Sequence, residues 1–332
     1  MNLMLQPEVK PSSTLISYTD KQVLIGSCFS DNIGAKLQEA KFQTLFNPTG
    51  IVFDPISLAR HLSDYAINKQ YGEEDVFQQN ELWHSWQHHS DFSTTSQEQT
   101  INGINAAIRA THHYLQSTGF LFITLGTAFS YQLRENYLSV ANCHKAPKEW
   151  FDKKLLSVSD ITEALREGMN AVRKLNPSIK IVLTVSPVKH LRDGIIENNR
   201  SKARLIEAVH QLSETESNCS YFPAYELVTD VLRDYRFYAK DMAHPSEQAI
   251  QFVFEHFCGT FLAKETQQLM QEVLQIVAAK NHRPLHPDTQ AHQQFLKTFL
   301  AKATAMKAIL PMIDWEEMIH YFGNTNGTPK HI

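Results

Sequence analysis

The apolar positions fall into two kinds of pattern. Short unbroken runs occur at residues 23–25 (VLI), 120–125 (FLFITL) and 179–185 (IKIVLTV), and a briefer one at 220–222. Each is bounded by charged residues, Gly or Pro, as expected of strands buried on both faces of a parallel sheet. Between them the spacing turns helical. It predicts helices over 33–42, 56–67, 101–115, 158–175, 197–212, 226–232 and 246–262. Apolar strands separated by helices of ten or more residues imply an α/β fold, a flavodoxin-like parallel sheet with helices on both faces. In such sheets a ligand binds beyond the carboxyl ends of the strands. From residue 264 the pattern is helical only, over 264–279, 288–309 and 314–321, with breaks at Arg283-Pro284 and Pro287. Residues 1–20 carry Pro7, Pro11 and several serines and read as an arm. The expected organisation is an arm (1–20), a main domain (21–263) and a C-terminal helical extension (264–332).

Composition narrows the class. The chain has 332 residues, 42% hydrophobic and 20% charged, which suits one large folded domain with an extension rather than a disordered polymer. A net charge of −4 leaves no basic footprint for nucleic acid. No apolar run suggests a signal peptide or a membrane span. The cysteines, Cys28, Cys143, Cys219 and Cys258, are scattered without a Cys-x-x-Cys pair, so free thiols in a reducing cytoplasm are expected.

The chemistry-bearing residues gather after strand ends. The first strand stops at Gly26, and Ser27, Cys28, Phe29 and Ser30 follow, with Asp31 and Asn32 as candidate helix caps. A thiol at a helix N-terminus feels the positive end of the dipole, and its pKa is expected to fall. Cys28 is therefore a candidate nucleophile; a small buried structural cysteine is the competing reading, with Ser27 as the alternative nucleophile. Near the end of the main domain stands Asp241-Met242-Ala243-His244-Pro245. A carboxylate beside a His can orient it as a general base; a capping Asp beside a surface His is the competing reading.

GSCFS (26–30), NPTG (47–50), LGTA (125–128), ANCHK (141–145) and DMAHPS (241–246) occur in an order that resembles the GSCFA family, a relative of the SGNH, or GDSL, hydrolases. The resemblance spans about residues 10–265. It implies an SGNH hydrolase-like fold with Cys28 where the nucleophilic serine stands and Ser27 where an Asp stands. Asp241 and His244 complete the triad. It places oxyanion donors at the Cys28 N–H, Gly50 and Gly126. The Asn that the hydrolase pattern has at position 128 is replaced by Ala128, so Thr127 or Asn142 is the substitute. Trp83, His84, Trp86, His88 and His89 resemble a further family feature. They either wall a pocket for a sugar or aromatic ring, or fold over the sheet edge; His84 and His88 on one helix face lack a companion for zinc. Lys189, His190 and Arg192 follow the third strand and either hold an anionic substrate or form a solvated loop. The implied activity is hydrolysis or transfer of ester or acyl bonds, acylated carbohydrate or another small molecule being the substrate, with no cofactor and no metal. The alternative is a non-catalytic module that binds a carbohydrate or acyl group.

Overall fold

The computed structural model describes residue 5 and residues 9–324, and the chain divides into two compact units. The larger comprises 1–10, 21–35 and 44–257; the smaller comprises 11–20, 36–43 and 258–332.

The main sheet has five strands: β1 (Lys21–Gly26), β2 (Gln43–Phe46), β5 (Thr118–Leu125), β9 (Lys180–Val185) and β10 (Cys219–Tyr221), in the order β10-β9-β5-β1-β2. Numbered among themselves these strands run 2-1-3-4-5, the flavodoxin-like order. β1 is parallel to β5 with Gly26 opposite Thr124, and β5 is parallel to β9 with Leu125 opposite Val185. Side chains alternate between the faces. On one face Val23, Ile25, Leu121, Ile123, Ile181 and Leu183 join a core with α2 (Pro55–Ile67), α3 (Gln97–Leu115), α4 (Val158–Leu175) and α5 (Gly194–Thr215). On the other, Phe122 meets Phe257 of α7 (Glu247–Phe261), ring centroids 5.1 Å apart. Burial on both sides is why these strands read as unbroken apolar runs.

Local signals fix the helix starts. Asp54 caps α2 through the Ser57 N–H at 3.1 Å, with Pro55 at the first helical position. Ser157 and Asp160 form a capping box on α4. α1 (Cys28–Glu39) begins five residues before the expected start, because Ser27 rather than Asp31 or Asn32 occupies the cap position.

Two insertions decorate the sheet. A hairpin joins β3 (Phe77–Gln79) and β4 (Leu82–His84), and β6 (Phe129–Leu133), β7 (Ser139–Val140) and β8 (Phe151–Leu155) form an antiparallel sheet in the order β7-β6-β8. Beyond β10, α6 (Ala224–Glu226) runs into a π turn over Leu227–Leu232.

In the smaller unit α8 (Lys264–Asn281), α9 (Gln290–Ile309) and α10 (Glu316–Gly323) pack together around Trp315, whose Nε1 donates to Leu310 O at 3.0 Å. Residues 11–20 belong to this unit: Ile16 N donates to Phe261 O at 2.7 Å, and Tyr18 stacks on Phe42 at 4.2 Å. No helix among the described residues is long and apolar enough to cross a membrane.

Candidate active site

β1 ends at Gly26, whose φ is +132°. A Cβ there would lie 2.1 Å from Thr124 O, so the close approach to β5 admits only glycine. Ser27 N donates to Thr124 O at 3.1 Å, and Ser27 Oγ accepts from Phe29 N at 3.3 Å. Ser27 is therefore a buried helix cap, 3% exposed, while Cys28 heads α1 as a half-buried residue. The turn is braced by Asn47, whose Oδ1 accepts from Gly26 N at 2.8 Å and whose Nδ2 donates to Asp31 Oδ1 at 2.6 Å.

The expectation of a lowered thiol pKa is overturned. Burial and the Asp31 carboxylate push the Cys28 thiol up, outweighing its own backbone N–H and the Lys202 amine. Asp241 also acts on Cys28, in the raising direction.

Lys202, on α5, lies in none of the sequence motifs. It is 1% exposed, and its Nζ donates at 2.6 Å to both Gly126 O and Ser186 O, just past the ends of β5 and β9. Burial lowers its pKa to about 7, and Cys28 acts in the opposite sense. The signal was present in the spacing, since Lys202 shares the buried stripe of α5 with Leu205 and Val209.

Asp241 and His244 meet as their spacing implies. Asp241 Oδ1 accepts from Ala243 N and His244 N, each at 3.0 Å, and Oδ2 lies 2.5 Å from His244 Nδ1. These hydrogen bonds hold the carboxyl well below the usual carboxylate range. The segment is tied to the loop after β9 by Lys189 N, which donates to Ala243 O at 3.1 Å. Lys189 Nζ stands over the rings of Tyr238 and Tyr235, at 3.7 and 4.7 Å. His190 is not the cation that its place in a basic loop suggests. Burial, then the nearby Lys202, lowers its pKa to about 4, with His244 acting in the same sense, so the ring is neutral near pH 7. Its Nε2 would lie 3.2 Å from a Cβ at Gly126.

Several other candidates have their polar groups engaged. Gly50 (φ +85°) closes the NPTG turn, its N–H donating to Asn47 O at 2.8 Å. Gly126 N donates to Phe53 O at 2.8 Å. Asn142 donates through Nδ2 to Ser90 Oγ at 3.1 Å and accepts through Oδ1 from His144 N at 2.9 Å. Thr127 Oγ1 is 3.0 Å from Ser201 Oγ. The aromatic stretch splits. Trp86 stacks on Phe77 at 3.7 Å, and Trp83 lies in β4, its N–H donating to Thr94 O at 2.7 Å. His84 has its ring nitrogens 2.7 Å from Ser93 Oγ and 3.1 Å from Gln79 O. His84 and His88 lie on a strand and a turn, so they do not share a helix face. His89 packs on the Gly50 turn and acts electrostatically on Asp31. Among the described residues no group of three or more His, Cys, Asp or Glu could hold a metal ion.

The model of the GSCFA family matches residues 21–257, more than half of the chain. The chain belongs to the GSCFA family. A second model, described as GSCFA domain protein, C-terminal domain, matches residues 273–326. No curated protein matches. Among solved structures, the GSCFA protein is similar to a carbohydrate esterase family 3 protein from Talaromyces cellulolyticus, at 10% identity and a TM-score of 0.37, over 76% of this chain and 99% of that one. It is also similar to the acetyl xylan esterase Est2A from the rumen bacterium Butyrivibrio proteoclasticus, at 12% identity and a TM-score of 0.40, over 74% of this chain and 64% of that one. At these scores neither likeness bears on the chemistry.

Proposed function

We propose that this GSCFA protein is an SGNH-type hydrolase or acyl transferase acting on ester or related acyl bonds of a small molecule, acylated carbohydrate being the favoured substrate class. Cys28 is the nucleophile, His244 the general base and Asp241 its orienting carboxylate. The observation that carries the reading is the 2.5 Å contact between Asp241 Oδ2 and His244 Nδ1, on a segment bonded to the loop after β9, in a sheet whose β1 leads into Cys28.

An ionised Asp241 only accepts, so Nδ1 carries the ring proton and Nε2 offers its lone pair. Nε2 takes the Cys28 proton as Sγ adds to the acyl carbon. The carbonyl oxygen becomes an oxyanion, for which the Cys28 N–H at the head of α1 is a donor. Collapse breaks the ester C–O bond, the alcohol leaves with the proton from Nε2, and a thioester remains on Cys28. Water, or an acceptor hydroxyl in the transfer case, then adds to the thioester carbon and gives its proton to Nε2; the C–S bond breaks, Sγ takes that proton back, and the acid or new ester leaves. Because burial raises the thiol pKa, deprotonation by His244 is essential rather than incidental. Turnover of p-nitrophenyl acetate by wild type and Cys28→Ala tests the reading: loss in the variant supports it, and equal turnover removes Cys28 from the mechanism.

A second reading is a non-catalytic module that binds an acyl group or carbohydrate at this edge. It is favoured by the engagement of the Gly50 and Gly126 amides and the Asn142 side chain elsewhere. A wild-type protein that binds an acetylated sugar without turning it over would establish this second reading.

A further inference from the structure

We propose that two copies of this chain dock through a groove between α2 and α4, in a two-fold dimer in which Glu167 of each copy pairs with Lys174 of the other. The proposal stands apart from the catalytic reading, since neither helix carries Cys28, Asp241 or His244. α2 and α4 touch where Gly168 meets Ala59: a Cβ at Gly168 would lie 2.9 Å from Ala59 Cα. Further along, where α2 ends at Ile67, the two helices leave an open groove of about 570 Å³. Its apolar lining is Ala66, Ile67, Ala171 and Leu175, and Glu167 and Lys174 stand at its rim. Ile67 is 70% exposed, a large apolar side chain left in water beside an apolar groove. An apolar surface rimmed by charge marks a place where another molecule docks.

The charges say which partner fits. Residues three, four and seven apart share a helix face, so Glu167, Asn170, Ala171 and Lys174 form one stripe on α4. An acid stands at one end and a base at the other, about 10 Å apart along the axis. The neighbouring Arg166 and Arg173 are already engaged, both bonded to Glu216 at 2.8 and 2.7 Å. Glu167 and Lys174 take part in no ion pair among the described residues. The stripe is self-complementary in one direction only. With two copies antiparallel across a two-fold axis between Asn170 and Ala171, Glu167 of each faces Lys174 of the other, and both pairs form together. A parallel arrangement would set Glu167 against Glu167 and Lys174 against Lys174. The antiparallel one also puts the short side chains at the axis, where the helices come closest, and each Ile67 under the other copy. Exposed ion pairs contribute little singly, so the apolar groove supplies the attraction and the charges set the direction.

Sedimentation velocity of the full chain from about 1 to 100 µM reads the assembly. Wild type should pass from monomer to dimer over that range; a monomer throughout, or an assembly larger than a dimer, overturns the proposal. Glu167→Lys sets Lys against Lys across the axis, and Lys174→Glu sets Glu against Glu. Each variant alone should raise the dimer dissociation constant by about tenfold or more. Mixed together, the two variants regain both opposite-charge pairs, so they should form a heterodimer of about wild-type affinity. Ile67→Ser should weaken the wild-type dimer with no change of charge. All three positions are exposed, so the variants should fold, and circular dichroism checks that they do. A dimer built on another face would leave the single variants, the mixture and wild type alike, and that outcome overturns the proposal. Should a charge variant not fold, Ile67→Ser decides, an unchanged dissociation constant overturning the proposal.

Discussion

His244 Nδ1 and Asp241 Oδ2 stand 2.5 Å apart, while the other carboxylate oxygen takes the N–H groups of Ala243 and His244. The carboxylate thus shapes its own turn, in which Met242 has a φ of +58°, and fixes the imidazole in the same stroke. Its pKa is depressed, so its contribution to stability is present above the unfolded carboxylate value, about 3.9, and is lost as pH falls through the lower folded value. Asp241→Asn presents an amide that cannot accept both backbone donors and still hold the Nδ1–H tautomer. If the site is catalytic, p-nitrophenyl acetate turnover at pH 7 should fall by about 10³-fold, with a similar loss in His244→Ala. Unchanged turnover in both variants would exclude the pair from catalysis.

Ser27 and Cys28 are adjacent in sequence and differ in role. Ser27 Oγ caps α1 from a buried position, whereas Cys28 is half-buried at the head of the helix. Ser27→Ala should cost about 1 kcal/mol of stability by loss of the cap. It should leave Cys28 alkylation and ester turnover within a fewfold of wild type. Thermal unfolding and turnover measured on the same preparation check this. Abolished turnover with unchanged alkylation would transfer the nucleophile to Ser27.

Gly26 cannot be replaced without moving the nucleophile. A Cβ would collide with the Thr124 carbonyl and force a backbone that L side chains rarely adopt. Gly26→Ala should destabilise the protein by about 3 kcal/mol or more. Urea unfolding measures the loss. A stability within 1 kcal/mol of wild type, taken as about the threshold for a meaningful core effect, would mean that β1 and β5 can separate at this point.

The strands through Leu24, Phe122 and Val182 were legible because burial on both faces leaves no polar alternation to confuse the period. β2 was not, since the four residues QTLF are too few and too mixed to stand out from a turn. The Asp241–His244 pair was readable because three-residue spacing lets one turn close the contact. The start of α1 was misplaced because Ser27, Asp31 and Asn32 are all good caps, and only the sharp bend at Gly26 selects the first. Lys202 is not legible in the sequence because charge usually marks a solvated face, and its partners are carbonyls that no sequence pattern reveals. The aromatic and imidazole stretch around Trp86 was composition without geometry: Trp86 packs on Phe77 and His84 on His144, while His89 packs on the Gly50 turn.

That packed layer has a consequence for acid stability. His61, His88 and His144 are all buried, with ring contacts of 5.4 Å between His61 and His88 and 4.5 Å between His84 and His144. Burial lowers the pKa of each, that of His144 to about 4, although His144 Nε2 donates to Ser85 O at 2.8 Å. An imidazole held neutral in the fold makes no demand above its unfolded pKa, about 6.5. Below that value the unfolded chain takes up a proton that the folded one refuses, so stability falls as pH drops from about 6.5 towards 4, by at most about 1.4 kcal/mol per pH unit for each such group. Asp31 and Asp54, whose carboxyl pKa values burial raises, act in the opposite sense as pH falls, so the comparison with a single-histidine variant isolates the imidazole. Urea unfolding followed by tryptophan fluorescence should show this slope in wild type and a shallower one in His144→Gln, in which nothing titrates at that position. Parallel stability profiles for the two proteins would mean that His144 is protonated in the fold, in conflict with its burial against His84 and Phe77.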